Sequence, residues 1–483
     1  MATPIRRPPY ASRAKMKFFC PLFKLLSLIG SALFAFLLTT VVVFYSVPAA
    51  AGGFYLPTRG VESTGRAGAS VAPHRQDLNA LWYNPAGLSL IEEFELSLDA
   101  SLVGTRVEHR RAPRRLDDGS TRTYEAVSNE APPVAIPSLL IGGTTPLEQV
   151  TWAVGAYAPY AGGRRFPADG PQRYVMVDNV GSTLGYLHAG VAWQITDRIA
   201  VGAGIQNFMA EFRIVAVGSG YTGLYGDPED EDLDMFSVAT LSSSSNPTAN
   251  MGVILSLHDR IQTGASVQLG HQFRDSEATL ETRMPSHPAY DNADTSGDQI
   301  DITVPFPWFA RAGVRYLGEE FDVEFALVYQ HWSVIGEILA DPGEVEVTGL
   351  PAVDAIPVPD LVVPQHFRNT VSLHLGGEYS VNTLVDLRAG YVYERSAVPD
   401  SRYSVFALDP DKHQVSLGAS YDFGAVITDV TGAAIVMPSR QITTSEVRQI
   451  NPSDPDDERT LRVANGSYDH FGYIFGVGIR TGF

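Results

Sequence analysis

The spacing of the extended segments restricts this fold more than any other feature of the sequence. From Glu93 onward, fourteen stretches carry strand character, many of them alternating with period two. Ile261–Leu269, Val371–Leu375 and Val385–Tyr391 are among them. One face of each is apolar or aromatic and the other polar or glycine, as expected of a strand between two different surroundings. The connections are long and short in strict turn. Long links run over 110–133, 161–183, 216–248, 281–297, 337–366, 396–411 and 438–466. Short ones fall at Thr145-Pro146-Leu147, Thr196-Asp197-Arg198, His258-Asp259-Arg260, Gly318-Glu319-Glu320, Ser380-Val381-Asn382 and Phe423-Gly424. Alternation alone fits a soluble sandwich with apolar residues inward, or a membrane barrel with apolar residues outward. The sorted links favour the barrel, whose short turns lie at the periplasmic rim and longer loops outside. The expected fold is all-β: a transmembrane antiparallel β-barrel of about fourteen strands, both chain ends periplasmic. The least regular alternation is at Ile427–Val436.

The two ends of the chain agree with this. A basic start (Arg6, Arg7, Arg13, Lys15, Lys17, Lys24), an apolar run from Leu25 to Val47 and the small residues Ala49, Ala50 and Ala51 read as a secretory signal over 1–51. An uncleaved anchor is the alternative, since the run is long enough to span a bilayer. The one cysteine, Cys20, leaves with the signal, so the mature chain has no thiol catalysis, disulfide or cysteine-bound metal. The formal charge falls from -19 to -25 on cleavage, which disfavours nucleic acid as a partner. At the other end, Phe475, Val477, Ile479, Thr481 and Phe483 share one face, and Gly476, Gly478, Arg480 and Gly482 the other. A last strand closing on Phe483 resembles the assembly signal of bacterial outer-membrane barrels, with Phe475 and Phe483 as its aromatic marks. That similarity implies the barrel-assembly machinery as a partner and the bacterial outer membrane as the location.

Residues 52–93 precede the first strand. They are rich in glycine and alanine, poor in charge, and follow neither a helical nor a strand period. A barrel of this width has room to be filled, so the segment reads either as a lumen plug, ahead of a barrel over 94–483, or as a periplasmic tail. Three pieces decide a resemblance: "AGGF" at Ala51–Phe54, "STGRAGAS" at Ser63–Ser70 and "YNPAGLSL" at Tyr83–Leu90. They resemble the N-terminal hatch of the FadL family, outer-membrane transporters of long-chain fatty acids with relatives that import aromatic hydrocarbons. Asn84-Pro85-Ala86 is the most specific match.

The resemblance implies a hatch-plugged, fourteen-stranded barrel, expected as a monomer. Its partners would be a hydrophobic small molecule, membrane lipid and lipopolysaccharide. Cargo would be released sideways through the wall, without cofactor, metal or catalysis. An apolar route spares the cargo transfer through water, at ~0.8 kcal/mol per methylene. In the family an inward kink of the third strand opens the wall. Here that strand is Val150–Tyr160, which places the opening at Ala158, Pro159, Tyr160, Gly162 and Gly163. Pro159 has no N–H for the ladder, and the two glycines allow unusual dihedrals; an ordinary strand end fits the same residues. Asn84, Pro85 and Ala86 are expected to shape the hatch. Phe54 and Tyr55 either touch the cargo or pack on the wall. His188 and His374 read as lumen lining. Arg164, Arg165 and Arg173 share one outer loop and suit either an acid head group or lipopolysaccharide phosphate. The acidic runs Asp227–Asp234 and Asp454–Glu458 read as solvated loops, with Ca²⁺ binding as the alternative. An aromatic-hydrocarbon channel, a porin, an adhesin and a barrel lipase are the competing functions.

Overall fold

The computed structural model describes residues 55–482 except 117, 161, 222–225, 350–354 and 452–459. The signal region, Phe54, Phe483 and the run Asp454–Glu458 lie outside the described residues. Fourteen long strands among the described residues close into an antiparallel barrel. They are β1 (Glu95–Arg111), β2 (Val134–Thr144), β3 (Val150–Tyr157), β4 (Thr183–Thr196), β5 (Ile199–Ser219), β6 (Asp234–His258), β7 (Ile261–Gln268 and His271–Arg283), β8 (Gln299–Phe306 and Phe309–Leu317), β9 (Phe321–Gln330), β10 (Thr370–Ser380), β11 (Val385–Glu394), β12 (Lys412–Asp422), β13 (Ile427–Ile442) and β14 (Gly466–Gly482). Closure is made by β1 on β14, in register from Glu95↔Gly482 to Arg111↔Gly466. All six short links fall between the strands expected, so both ends of the barrel chain lie at the short-turn rim.

The polarity is inside-out. Leu98, Ile205, Met251, Leu375, Leu417 and Val477 stand exposed on the outer surface, while Asp99, His188, Gln206, Glu324, His374 and Gln414 are buried inside. That distribution suits lipid outside and a packed polar lumen within. Phe475 is exposed with Val477 and Ile479 on the lipid face of β14.

Three segment boundaries differ from the sequence expectation. The third long link is shorter than 216–248, because β5 and β6 stay paired out to Ser219↔Asp234. Strands of 21 and 25 residues exceed the roughly 9–11 needed to cross a bilayer. Beyond the membrane neither face meets lipid, so alternation fades and "LSSSSNPTAN" reads as loop. By the same effect β13 runs past Val436 to Ile442. β3 differs the other way, ending at Tyr157 rather than Tyr160.

Candidate functional site

The segment ahead of β1 fills the lumen. It folds as two short helices, α1 (Val61–Gly65) and α2 (Ala80–Tyr83), and a 3₁₀ turn over Pro85–Leu90. Asn84 is fully buried and holds two pieces of chain together: its Nδ2 donates to the Val71 carbonyl (2.8 Å) and the β6 carbonyl of Val253 (3.0 Å). Its Oδ1 accepts from the Ala86 N–H (3.2 Å), capping the turn that Pro85 opens. Ala86 is buried against Ala200 and Ile254 of the wall.

Wall glycines let the plug backbone come close. A Cβ on Gly252 would strike the Asn84 side chain, one on Gly264 the Val71 carbonyl, and one on Gly376 the Arg66 carbonyl. Nearer the short-turn rim, ion pairs fix the plug. Arg66 is bonded to Asp322, and Glu62 bridges Arg388 (3.3 Å) and Arg480 (2.8 Å). The Val71 N–H donates to Glu324 (2.7 Å), which Arg315 also holds (2.9 Å). Within this network the plug residue His74 accepts from Arg315 at 2.7 Å. Burial first, then the Arg315 charge, keep its imidazole well below the ordinary histidine range.

Above the plug lies a packed aromatic cluster. Tyr55 stacks on Phe309 with centroids 5.1 Å apart and meets Tyr160 (5.9 Å) and Trp332 (6.4 Å) edge-on. Tyr160 continues to Phe208 and Phe306, and Phe306 stacks on His271 at 4.8 Å. Trp82 of the plug faces Tyr157 and Tyr186. His188 is held by Tyr157 and Asn250 (3.1 Å), and His374 by the Ala67 carbonyl (2.7 Å), so both serve as lining.

Sequence reasoning missed a charged group buried in this cluster. Arg311 on β8 is buried, with its guanidinium carbon 5.0 Å from the Trp82 ring centre and 5.5 Å from that of Phe309. Neither terminal nitrogen makes a hydrogen bond among the described residues, nor does either ring nitrogen of His271. The Tyr55 phenol is within its reach: burial raises that phenol's pKa, and Arg311 opposes the rise by charge and hydrogen bonding. A buried guanidinium facing rings instead of a carboxylate is costly and receptive to an anion.

The wall is interrupted beside β3. β2 and β3 pair from Leu139↔Ala156 to Thr144↔Thr151. The upper residues of β2, Val134–Ser138, still pair with β1 but have no β3 partner. There the chain turns inward: the Pro159 carbonyl accepts from the Leu56 N–H (3.1 Å), and Tyr160 bridges to Tyr55 inside the lumen. Gly162 takes φ 135°, and Gly163 lies beside Val134 and Val180. The wall closes again above, where Glu130 N–H donates to the Arg165 carbonyl (2.7 Å). Ala158, Pro159, Tyr160, Gly162 and Gly163 thus border a break in the ladder. A small cavity of about 20 Å³ lies behind it, between plug, β1, β2 and β14.

The outer loops are less solvated than their composition suggested. Asp227 is paired with Arg114 and Arg122, Glu229 with Arg111 and Arg114, and Asp234 with Arg173 (2.7 Å). The expected free acidic run is therefore a clasp across three loops. Arg164 donates to the Val405 and Phe406 carbonyls, and Arg165 is bonded to Asp178 (3.3 Å).

A closed barrel whose lumen is stopped by its own N-terminal segment, with a packed aromatic cluster above the stop, defines a plugged outer-membrane barrel rather than an open porin. Residues 42–483 match the family described as outer membrane protein transport protein (OMPP1/FadL/TodX), and the chain belongs to that family. It is 21% identical over 486 residues to outer membrane protein P1 of Haemophilus influenzae, covering 92% of this chain and 98% of that one. The match to its counterpart from strain Rd of that species is 24% over 247 residues, spanning 48% of this chain and half of the relative. Among solved structures, a Pseudomonas aeruginosa FadL homologue superposes with a TM-score of 0.70 at 14% identity, over 90% of this chain and all of that one. The Pseudomonas putida toluene transporter TodX gives 0.61 at 16%, over 89% and 99%. These likenesses show the fold and, with the family, an outer-membrane location.

Proposed function

We propose that this barrel imports long-chain fatty acids passively, seating the carboxylate on Arg311 and releasing the chain sideways beside β3. As a member of its family it is an outer-membrane transporter of hydrophobic compounds; the cargo and the exit are the proposal. One observation carries the cargo class: a buried guanidinium that meets no carboxylate, its terminal nitrogens without a hydrogen-bond partner among the described residues and the Tyr55 phenol beside it, set among rings. A neutral hydrocarbon would leave that charge uncompensated, whereas a carboxylate would satisfy it with paired N–H···O bonds. The break between Val134–Ser138 and Ala158–Gly163 supports the exit, because a plug tied by several ion pairs leaves the wall as the shorter way out.

The test is uptake of labelled oleate by cells deleted for their own fatty-acid channel and expressing this chain, its Arg311→Gln variant, or an Asn84→Ala, Pro85→Gly control. Oleate uptake that Arg311→Gln lowers about tenfold, the scale of a lost charge-assisted bond, is the expected result. Toluene uptake without oleate uptake would overturn it. That outcome would favour the second reading, an aromatic-hydrocarbon channel, which the aromatic cluster and the likeness to the toluene transporter both support.

A further inference from the structure

The lumen holds a second guanidinium that meets no carboxylate directly, and it stands at the break in the wall. Arg59 of the plug is buried, its Nη atoms bonded to two neutral oxygens, Asn79 Oδ1 (3.0 Å) and Ser138 Oγ (3.0 Å). Its Nε has no partner among the described residues. Ser138 is the last β2 residue without a β3 neighbour, so one of Arg59's two bonds is made to the edge of the interruption itself.

Arg59 and Arg311 are joined by rings. The Arg311 carbon lies 5.0 Å from the Trp82 centroid, Trp82 and Tyr157 are 5.7 Å apart at 77°, and the Arg59 carbon sits 3.5 Å from the Tyr157 centroid. The series Arg311–Trp82–Tyr157–Arg59 runs from the aromatic cluster to the cavity behind β3. That cavity is two-sided: Thr58, Arg59, Asp99 and Ser138 form a polar side, and Leu56, Val103, Ile136 and Ile474 an apolar one. Such a lining suits a molecule with a charged head and a hydrocarbon chain.

From this arrangement we infer that Arg59 is an exit station for the acid head group. The carboxylate passes from Arg311 to Arg59 by the positive edges of the Trp82 and Tyr157 rings and takes the place of Asn79 and Ser138 as partner of the guanidinium. At about 20 Å³ the resting cavity holds no more than one water. The station is therefore closed until the head group displaces those two bonds, and freeing Ser138 loosens the β2 edge that borders the opening. Asp99, on the polar side and bonded to the Val61 N–H (3.3 Å), limits the residence of a second carboxylate and favours departure.

The inference rests on the fatty-acid reading above, and its test separates the two. Initial uptake of oleate and of uncharged oleyl alcohol is measured in the same cells for the unaltered chain, Arg59→Gln and Arg59→Lys, with equilibrium oleate binding to the purified folded barrels. Arg59→Gln is expected to slow oleate uptake about tenfold, as for one lost charge-assisted bond, while oleate binding and alcohol uptake fall less than about twofold. Arg59→Lys is expected to recover most of the rate. Oleate uptake by Arg59→Gln equal to that of the unaltered chain overturns the exit station and leaves the fatty-acid reading standing. Equal loss of both cargoes also overturns it, because that marks a disturbed plug. An unaltered chain that takes up the alcohol but not the acid overturns the fatty-acid reading and the station together.

Discussion

At the scale of single residues, the plug depends on a few side chains that tie separate pieces of chain together. Asn84 donates to two carbonyls 2.8 and 3.0 Å away, one in the plug and one in the wall. Asn84→Ala leaves the Val71 carbonyl buried without that donor, at a cost of about 1–3 kcal/mol to plug docking. Protease nicking of residues 55–93 in the folded barrel should begin at a lower urea concentration; an unmoved threshold would show the tether to be dispensable. His74 adds a pH dependence. Docked, it is held below its ordinary value by burial, Arg315, Arg75 and Arg66, with Asp322 acting the other way. A docked pKa below the free one means docking is complete above the ordinary value of 6.5 and weakens as pH falls beneath it. Current bursts across planar bilayers should therefore become more frequent between about pH 7 and about pH 5, the span of an ordinary histidine. His74→Gln should flatten that rise. Legibility at this scale was uneven. Asn84-Pro85-Ala86 announced itself by its residue types, because a side-chain amide before a proline has few other uses. Arg311 and Arg59 did not, because "FARAG" and "PTRGV" look like any strand and any loop. Their meaning lies in what does not face them, and no local pattern records that.

At the scale of elements, the strand rhythm was legible because lipid and lumen impose opposite demands on alternate residues. It failed where those demands stop, at the tops of β5, β6 and β13. The end of β3 was half legible. Pro159 marks where a ladder cannot continue, but the inward turn to Tyr55 depends on the aromatic cluster that receives Tyr160. This gives a test of the interruption. Pro159→Val restores a ladder donor and supplies a residue that favours strands. If β3 then extends along β2, amides of Val134–Ser138 should gain protection from hydrogen exchange, and oleate uptake should fall several-fold, by the gating logic of a closed route. Protection gained with full uptake would place the exit elsewhere.

At the scale of the whole molecule, the plug and the wall fit through absent side chains as much as present ones. The lumen glycines were visible only as the small members of polar faces; which of them meet the plug is a tertiary fact. The fit is tight enough for a decisive experiment. A Cβ at Gly476 on β14 would sit 3.6 Å from the Cβ of Val61 in α1, within the span of a disulfide. The chain's only cysteine, Cys20, precedes the plug, so a Val61→Cys, Gly476→Cys pair has no other described thiol to compete with it. Oxidised, the pair locks α1 to the wall inside the barrel, where Gly476 pairs with Ser101. Should cargo leave by pushing the plug out, oleate uptake will stop in the oxidised barrel and return on reduction. The geometry argues for the other outcome. Glu62 already ties α1 to β11 and β14, so the lock adds one bond to an anchored corner beside the cavity and leaves β2 and β3, which border the break, unlinked. Uptake by the oxidised barrel should stay within about twofold of the reduced one, the tolerance expected when a native-like disulfide adds no strain.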